Sequence, residues 1–272
     1  MYFPHTPISA LKYVGALIFV LIAGSMTGCQ VKSAASAPAT KPVAPTFTPE
    51  EMEAYRLQRF VEGMQGVLRD SILDANRQQL TGEVKLALVI NLKNELISCE
   101  VVGTPQSTDA KAVSALGALA KDACWNSVFP VVPAQYFNED GIAEIRAPLI
   151  LPILADYHLP GLERRQQSFA QSQFFWERTM ANQPPENIGI ASFDYRANAQ
   201  GEVQKCRVSL AATRWRSNSF KKRDRPLLRQ LTQQCEELNL STMPGFKVDE
   251  KGLAMGRVSV EYMPWRGGPR KH

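Results

Sequence analysis

Histidine is nearly missing from this chain, with three among 272 residues: His5, His158 and His272. A general base or an imidazole-ligated metal has almost nothing to draw on. His158 stands between Tyr157 and Leu159-Pro160 and reads as a loop residue between two units. Gly-x-Ser-x-Gly, His-Glu-x-x-His, Walker and Cys-x-x-Cys motifs are absent as well. The adjacent acids Glu139-Asp140 and Glu236-Glu237 read as solvated turn and helix faces. These gaps argue against an enzyme, and neither a cofactor nor a metal is expected. Long apolar runs are also lacking. None reaches 18 residues, so no ordinary membrane-spanning helix is foreseen. Excess charge is small: 31 Lys+Arg against 26 Asp+Glu, a net +5. That permits an anionic partner and does not call for nucleic acid, which is not expected.

What remains is an ordinary globular balance, 44 % apolar and 21 % charged, long enough for one large or two small domains. Five cysteines leave one over after pairing. The N-terminus accounts for it. Residues 1–13 carry Lys12 and no acid, and 14–24 (VGALIFVLIAG) are continuously apolar. A weakly basic start, a short apolar run and small residues describe a secretory signal. Met26-Thr27-Gly28-Cys29 resembles the bacterial lipobox, with Met where Leu is usual and Thr where Ala or Ser is usual. The resemblance implies cleavage before Cys29 and its acylation, with three chains serving as a stable anchor. Gln30 is not the Asp that retains such proteins in the inner membrane. The implied address is therefore the periplasmic face of the outer membrane of a Gram-negative bacterium. Residues 29–48 form an acylated, Pro- and Ala-rich tether. At about 3.1 Å per residue it reaches roughly 60 Å, far short of crossing a periplasm.

Beyond the tether the elements come in a repeated order. Thr48 caps a helix with Pro49 at its first position and Glu51 completing a capping box. Apolar residues at Leu57, Phe60, Val61, Met64, Val67, Leu68, Ile72 and Leu73 carry it to about Asn76. Residues 83–92 and 96–102 read as a strand hairpin, 109–124 as an Ala-rich helix, 129–133 as a Pro-bounded stretch and 142–151 as a third strand. A helix over 162–182 follows. Then come strands at 188–196 and 202–210, a helix at 222–239, an extended Met243-Pro244 and a last strand at 256–263. The expected fold is α+β. It holds two tandem helix-strand-strand-helix-strand units, each a three-stranded antiparallel sheet packed by helices. The first unit covers 49–154, a connecting helix 155–182 and the second unit 183–272, after a signal at 1–28.

Cys206 lies 107 residues after Cys99, and the same offset pairs Glu202 with Glu95 and Val208 with Val101. Cys235 lies 111 after Cys124, the extra four residues falling in a strand-to-helix loop. This is read as an internal repeat. Four cysteines in an oxidising compartment make two disulfides, and composition leaves three pairings open. In each unit one Cys sits early in the second strand and the other at the end of the next helix. A strand rising about 17 Å and a helix returning about 24 Å bring those ends together. Cys99–Cys124 and Cys206–Cys235 are therefore the favoured pairs.

The order of elements resembles the TonB/TolA carboxy-terminal domain, best over 65–151. Gly82-Glu83-Val84-Lys85-Leu86, Cys99-Glu100-Val101-Val102-Gly103, Asp109-Ala110-Lys111-Ala112-Val113 and Phe129-Pro130-Val131-Val132-Pro133 carry it. Gly201-Glu202-Val203 and Pro244 echo it in the second half. The anchor and the short tether depart from that family, so energy transduction is not implied. What the resemblance implies is a protein partner in the envelope, bound by strand addition to an exposed edge. The edges would be Ile142–Leu151 and Arg257–Met263. Pro148 weakens the first, leaving the second with Val258 and Val260 as candidates. A basic segment, 214–229, is a second candidate surface. It holds seven cations and one acid, with Trp215 and Phe220 interleaved. Arg214, Trp215, Arg216, Lys221, Lys222 and Arg223 would meet an anionic envelope polymer such as peptidoglycan or lipopolysaccharide, and Arg266, Arg270, Lys271 and His272 extend it as a basic tail.

Overall fold

Alternating apolar residues build the strands and three/four-spaced ones the helices. The computed structural model describes residues 48–102, 110–151, 161–181, 187–216, 220 and 224–268. Helix α1 (Pro49–Ala75) begins as expected: Glu51 N donates to Thr48 Oγ1 at 3.2 Å, and Thr48 N donates back to the Glu51 carboxylate at 2.7 Å. Buried Asn76 ends it. Its side-chain amide donates to Leu80 O and accepts from Leu80 N, both at 2.8 Å. Met64, Leu68 and Ile72 bury the C-terminal half of α1, and Phe60 packs against the same core.

Strands β1 (Gly82–Asn91), β2 (Leu96–Val101) and β3 (Ile142–Leu151) form an antiparallel sheet in the order β2-β1-β3. Val84, Leu86, Leu88 and Ile90 turn one face of β1 into the core, which α1 and α2 (Ala110–Trp125) cover. The second half repeats this. Strands β4 (Gly189–Ala197), β5 (Val203–Ala211) and β6 (Ala254–Tyr262) pair in the order β5-β4-β6, under α3 (Leu162–Phe175) and α4 (Arg225–Glu236). The fold is thus α+β with two separate three-stranded antiparallel sheets. All described residues belong to one compact unit.

Two helices differ from expectation. The 162–182 helix is α-helical only to Phe175, and then widens to a π-turn over Trp176–Met180. Ala181 N donates to Trp176 O at 2.8 Å, five residues back. At that pitch Phe175 and Met180, five apart, share the buried face. Helix α4 starts at Arg225 because Asp224 caps it, accepting from Leu227 N at 3.1 Å. Residues 221–223 lie outside the described residues.

The repeat holds in register. Leu88 faces Cys99 as Tyr195 faces Cys206, and both hairpins carry a bulge at the same place, Val89/Ile90 and Arg196/Ala197. Ile90 faces Ala143 as Ala197 faces Ala254, which preserves the 107 and 111 offsets. Both favoured disulfides are present, Cys99–Cys124 and Cys206–Cys235, with Cα atoms 6.5 and 6.0 Å apart.

A turn design recurs four times, at Asn91–Glu95, Asn138–Ile142, Asn198–Glu202 and Asp249–Leu253. In each, the leading side-chain oxygen accepts from the backbone N–H four residues on, at 2.9–3.0 Å. The fourth residue takes a positive φ: Asn94 at 59°, Gly141 at 72°, Gly201 at 84° and Gly252 at 73°. These turns sit at one end of each sheet and fix where its strands start. At Gly201 the close approach matters too, since a Cβ would lie 2.3 Å from Ser241 N, whereas at Gly252 the nearest atom is 3.9 Å away. Gly252→Ala should cost about 1 kcal/mol, the strain of the left-handed backbone alone. Gly201→Ala should cost at least about twice that, read as the difference in urea unfolding midpoints.

Candidate functional site

The sequence pointed to four places: the N-terminal cysteine, the two last strands, the basic segment and the basic tail. Cys29, its signal and its tether lie outside the described residues. Among those described, no helix is long and apolar enough to cross a membrane.

The basic segment is largely a clasp. After β5 the chain turns sharply, with Thr213 bridging Arg216. Trp215 then packs against the core of the first half. Room for it comes from Gly63 on α1, where a Cβ would lie 2.8 Å from Pro130 and 3.3 Å from Trp215. Arg216 donates from Nη2 to Asn94 O at 3.0 Å, and burial pulls its pKa down. Arg214 stays exposed, its guanidinium 4.6 Å from the Trp215 ring centre. So Trp215 and Arg216, expected on a binding surface, join the two halves instead. Lys221, Lys222 and Arg223 lie outside the described residues.

The tail is corrected in the same sense. After β6, Met263 and Trp265 enter the core of the first half, where Trp265 Nε1 donates to Ser127 O at 3.1 Å. Arg266 is pinned: Nε donates to Asn126 Oδ1 at 3.1 Å, Nη1 donates to Glu261 O, and the guanidinium lies 4.9 Å from the Trp176 ring centre. Burial pushes Arg266 down to about 10, while the neighbouring acids Glu261, Asp122 and Glu177 pull it back up. Arg270, Lys271 and His272 lie outside the described residues. Glu261, facing Arg266 and Arg216, is pushed up to about 7 by burial, which outweighs the pull of those two cations. No sequence signal announced this junction. Pro264-Trp265 carries no period, and its partner Ser127 is 138 residues away.

The last strands are both edges: β3 and β6 each pair on one side only among the described residues. Val258 and Val260, offered as contact residues, point into the second core at 4 % and 0 % exposure. The side chains on the opposite face of β6 are Met255, Arg257 and Ser259, all exposed. The edges differ in one atom. Val102 N donates to Lys85 O at 2.8 Å, so the Lys85 backbone serves β2. Pro148, opposite Lys85, therefore aims its hydrogen-free nitrogen outward. Shifted by 107 and 111, that pair becomes Ser192 and Ser259, and their hydroxyls meet at 2.9 Å. Ser259 keeps the outward N–H that Pro148 lacks.

Comparison with models of known protein families, with curated proteins and with solved structures found no match. The functional reading therefore rests on this chain's own geometry.

The junction carries a pH dependence. Folded Glu261 keeps its proton up to about pH 7, whereas the unfolded side chain releases it near 4.5. The folded state binds more protons in that window, so this group's contribution to stability declines as pH rises through it. Glu261→Gln should remove that decline. The stability difference between variant and wild type, taken from urea midpoints, should shift in favour of the variant from pH 4.5 to about 7.

Proposed function

We propose that this chain is an outer-membrane-anchored periplasmic lipoprotein, resembling tandem TonB/TolA carboxy-terminal domains, and a non-enzymatic binding module of an envelope machine. Cys29 would carry the lipid and the tether would set the module a short distance from the membrane. The observation that carries the binding reading is the edge of β6, which runs from Ala254 to Tyr262 without a proline and has no strand on its outer side among the described residues. An unpaired ladder of alternating donors and acceptors is a template for a partner's strand. The corresponding edge of β3 is interrupted at Pro148. Binding of an envelope polymer through the basic segment is the weaker reading, because Trp215 and Arg216 are engaged in the junction.

Two experiments test this. Mass spectrometry of membrane-extracted protein should find an acylated Cys29 as the first residue, and Cys29→Ser should leave the protein in the soluble fraction. An unmodified Cys29 in a membrane-bound chain rejects the anchor. For the edge, a photo-crosslinking residue at Ser259 in the full chain in cells should form a discrete protein adduct, whereas one at buried Val260 should not. Equal adducts from both positions, or none from Ser259, reject strand addition at β6.

A further inference from the structure

The outward face of the second sheet carries a charge pattern that folding does not require. Its rows run across the three strands. Lys205, Arg196 and Met255 form one, Arg207, Asp194 and Arg257 the next, and Ser209, Ser192 and Ser259 a third. The helices cover the other face, where Phe193, Cys206 and Val258 are buried. Arg196, Lys205 and Arg207 are exposed, and the Arg257 side chain is 61 % exposed. Asp194 is the one acid within these rows, and it pairs with Arg257 at 3.3 Å. Glu202 and Glu261 stand at the two ends of the face, the first held by Asn198 and the second in the junction.

Two observations mark this face as built for a partner. Arg196 and Lys205 lie directly opposite each other, an arrangement of like charges that costs stability in a sheet. The first sheet also serves as an internal control, because it has the same register. Its positions matching Arg196, Lys205, Arg207 and Arg257 hold Val89, Ser98, Glu100 and Arg146. Glu100 is itself neutralised by Lys121 at 2.7 Å. The same fold is thus made with only one of the four cations, Arg146.

We propose that the partner of β6 is an acidic extended polypeptide, its carboxylates at alternate positions over the face made by Arg196, Lys205, Arg207 and Arg257. This rests on the reading of β6 as a strand-adding edge and names the chemistry of what is added. The row Arg207–Asp194–Arg257 alternates in sign and ends on a cation at the open edge, so a carboxylate opposite Arg257 continues it. Residues two apart on a strand are separated by about 7 Å, which is also the spacing of the two charged rows. A second carboxylate then falls beside Met255, in the row of Arg196 and Lys205. By register, Met255, Arg257 and Ser259 present both their side chains to this face and their backbone N–H and C=O groups to the open edge. A phosphate-bearing lipid would engage the cations and leave the carbonyls unserved. A polypeptide engages both.

The test uses the full lipidated chain in nanodiscs and three labelled nine-residue probes read by fluorescence polarisation. The probes are a peptide alternating Val and Glu, its Val/Gln counterpart, and the Val/Glu peptide with alternate backbone nitrogens methylated. The Val/Glu peptide should bind at least about tenfold tighter than Val/Gln at 0.1 M salt, with the advantage vanishing near 1 M. Replacing Arg196, Lys205, Arg207 and Arg257 together by Ser should erase the preference without lowering the melting temperature. Equal binding of the Glu and Gln peptides overturns the acidic partner and leaves strand addition standing. Undiminished binding of the methylated peptide overturns strand addition while keeping the acidic face. Binding of phosphatidylglycerol vesicles through these cations, with no peptide binding up to 1 mM, overturns the proposal outright.

Discussion

Trp265 belongs to the second half of the chain and is buried in the first, and most of the architecture depends on that crossing. A three-stranded sheet covered on one face by two helices makes a small core, and small cores are marginal. Trp265 adds its large ring to the first core and satisfies its N–H on Ser127. Trp215 packs, partly buried, against the same core from a different loop. The two sheets therefore have separate interiors but share their stability, and the residues after β6 cannot leave without opening the first half.

The crossing has an electrostatic companion. Glu261, Arg266 and Arg216 meet where the two halves join, and burial shifts Glu261 and Arg266 in opposite directions: the acid up, the arginine down. For each of these two groups burial is the larger effect, and their mutual attraction offsets only part of it. Arg266 offsets part of the burial with hydrogen bonds to Asn126 and to the backbone of Glu261.

Much of the fold was legible because the chain describes itself twice. The offsets of 107 and 111 residues located the hairpins, and both disulfides followed from where a strand begins and a helix ends. The exposed face of β6 was less legible. Val258, Val260 and Tyr262 form the apolar alternate set, and that parity is what sends them inward. The exposed set is Met255, Arg257 and Ser259. The basic segment misled for another reason. Its sign is visible in sequence, but Trp215 and Arg216 find their partners on Gly63 and Asn94, more than a hundred residues earlier, and no local pattern encodes such a pairing. The four Asx-type turns could have been seen: Asn or Asp followed three positions later by Gly or Asn recurs at the same place in each half.

Both disulfides join cysteines that are neighbours in chain order, Cys99 with Cys124 and Cys206 with Cys235. A polypeptide threaded N-terminus first into an oxidising compartment exposes each of these pairs in turn. The first bridge can close before the second pair has emerged, and the second pair then finds no competing thiol in the first half. For a chain exported in that way, oxidation in order of arrival would yield these pairs without the reshuffling that interleaved pairings demand.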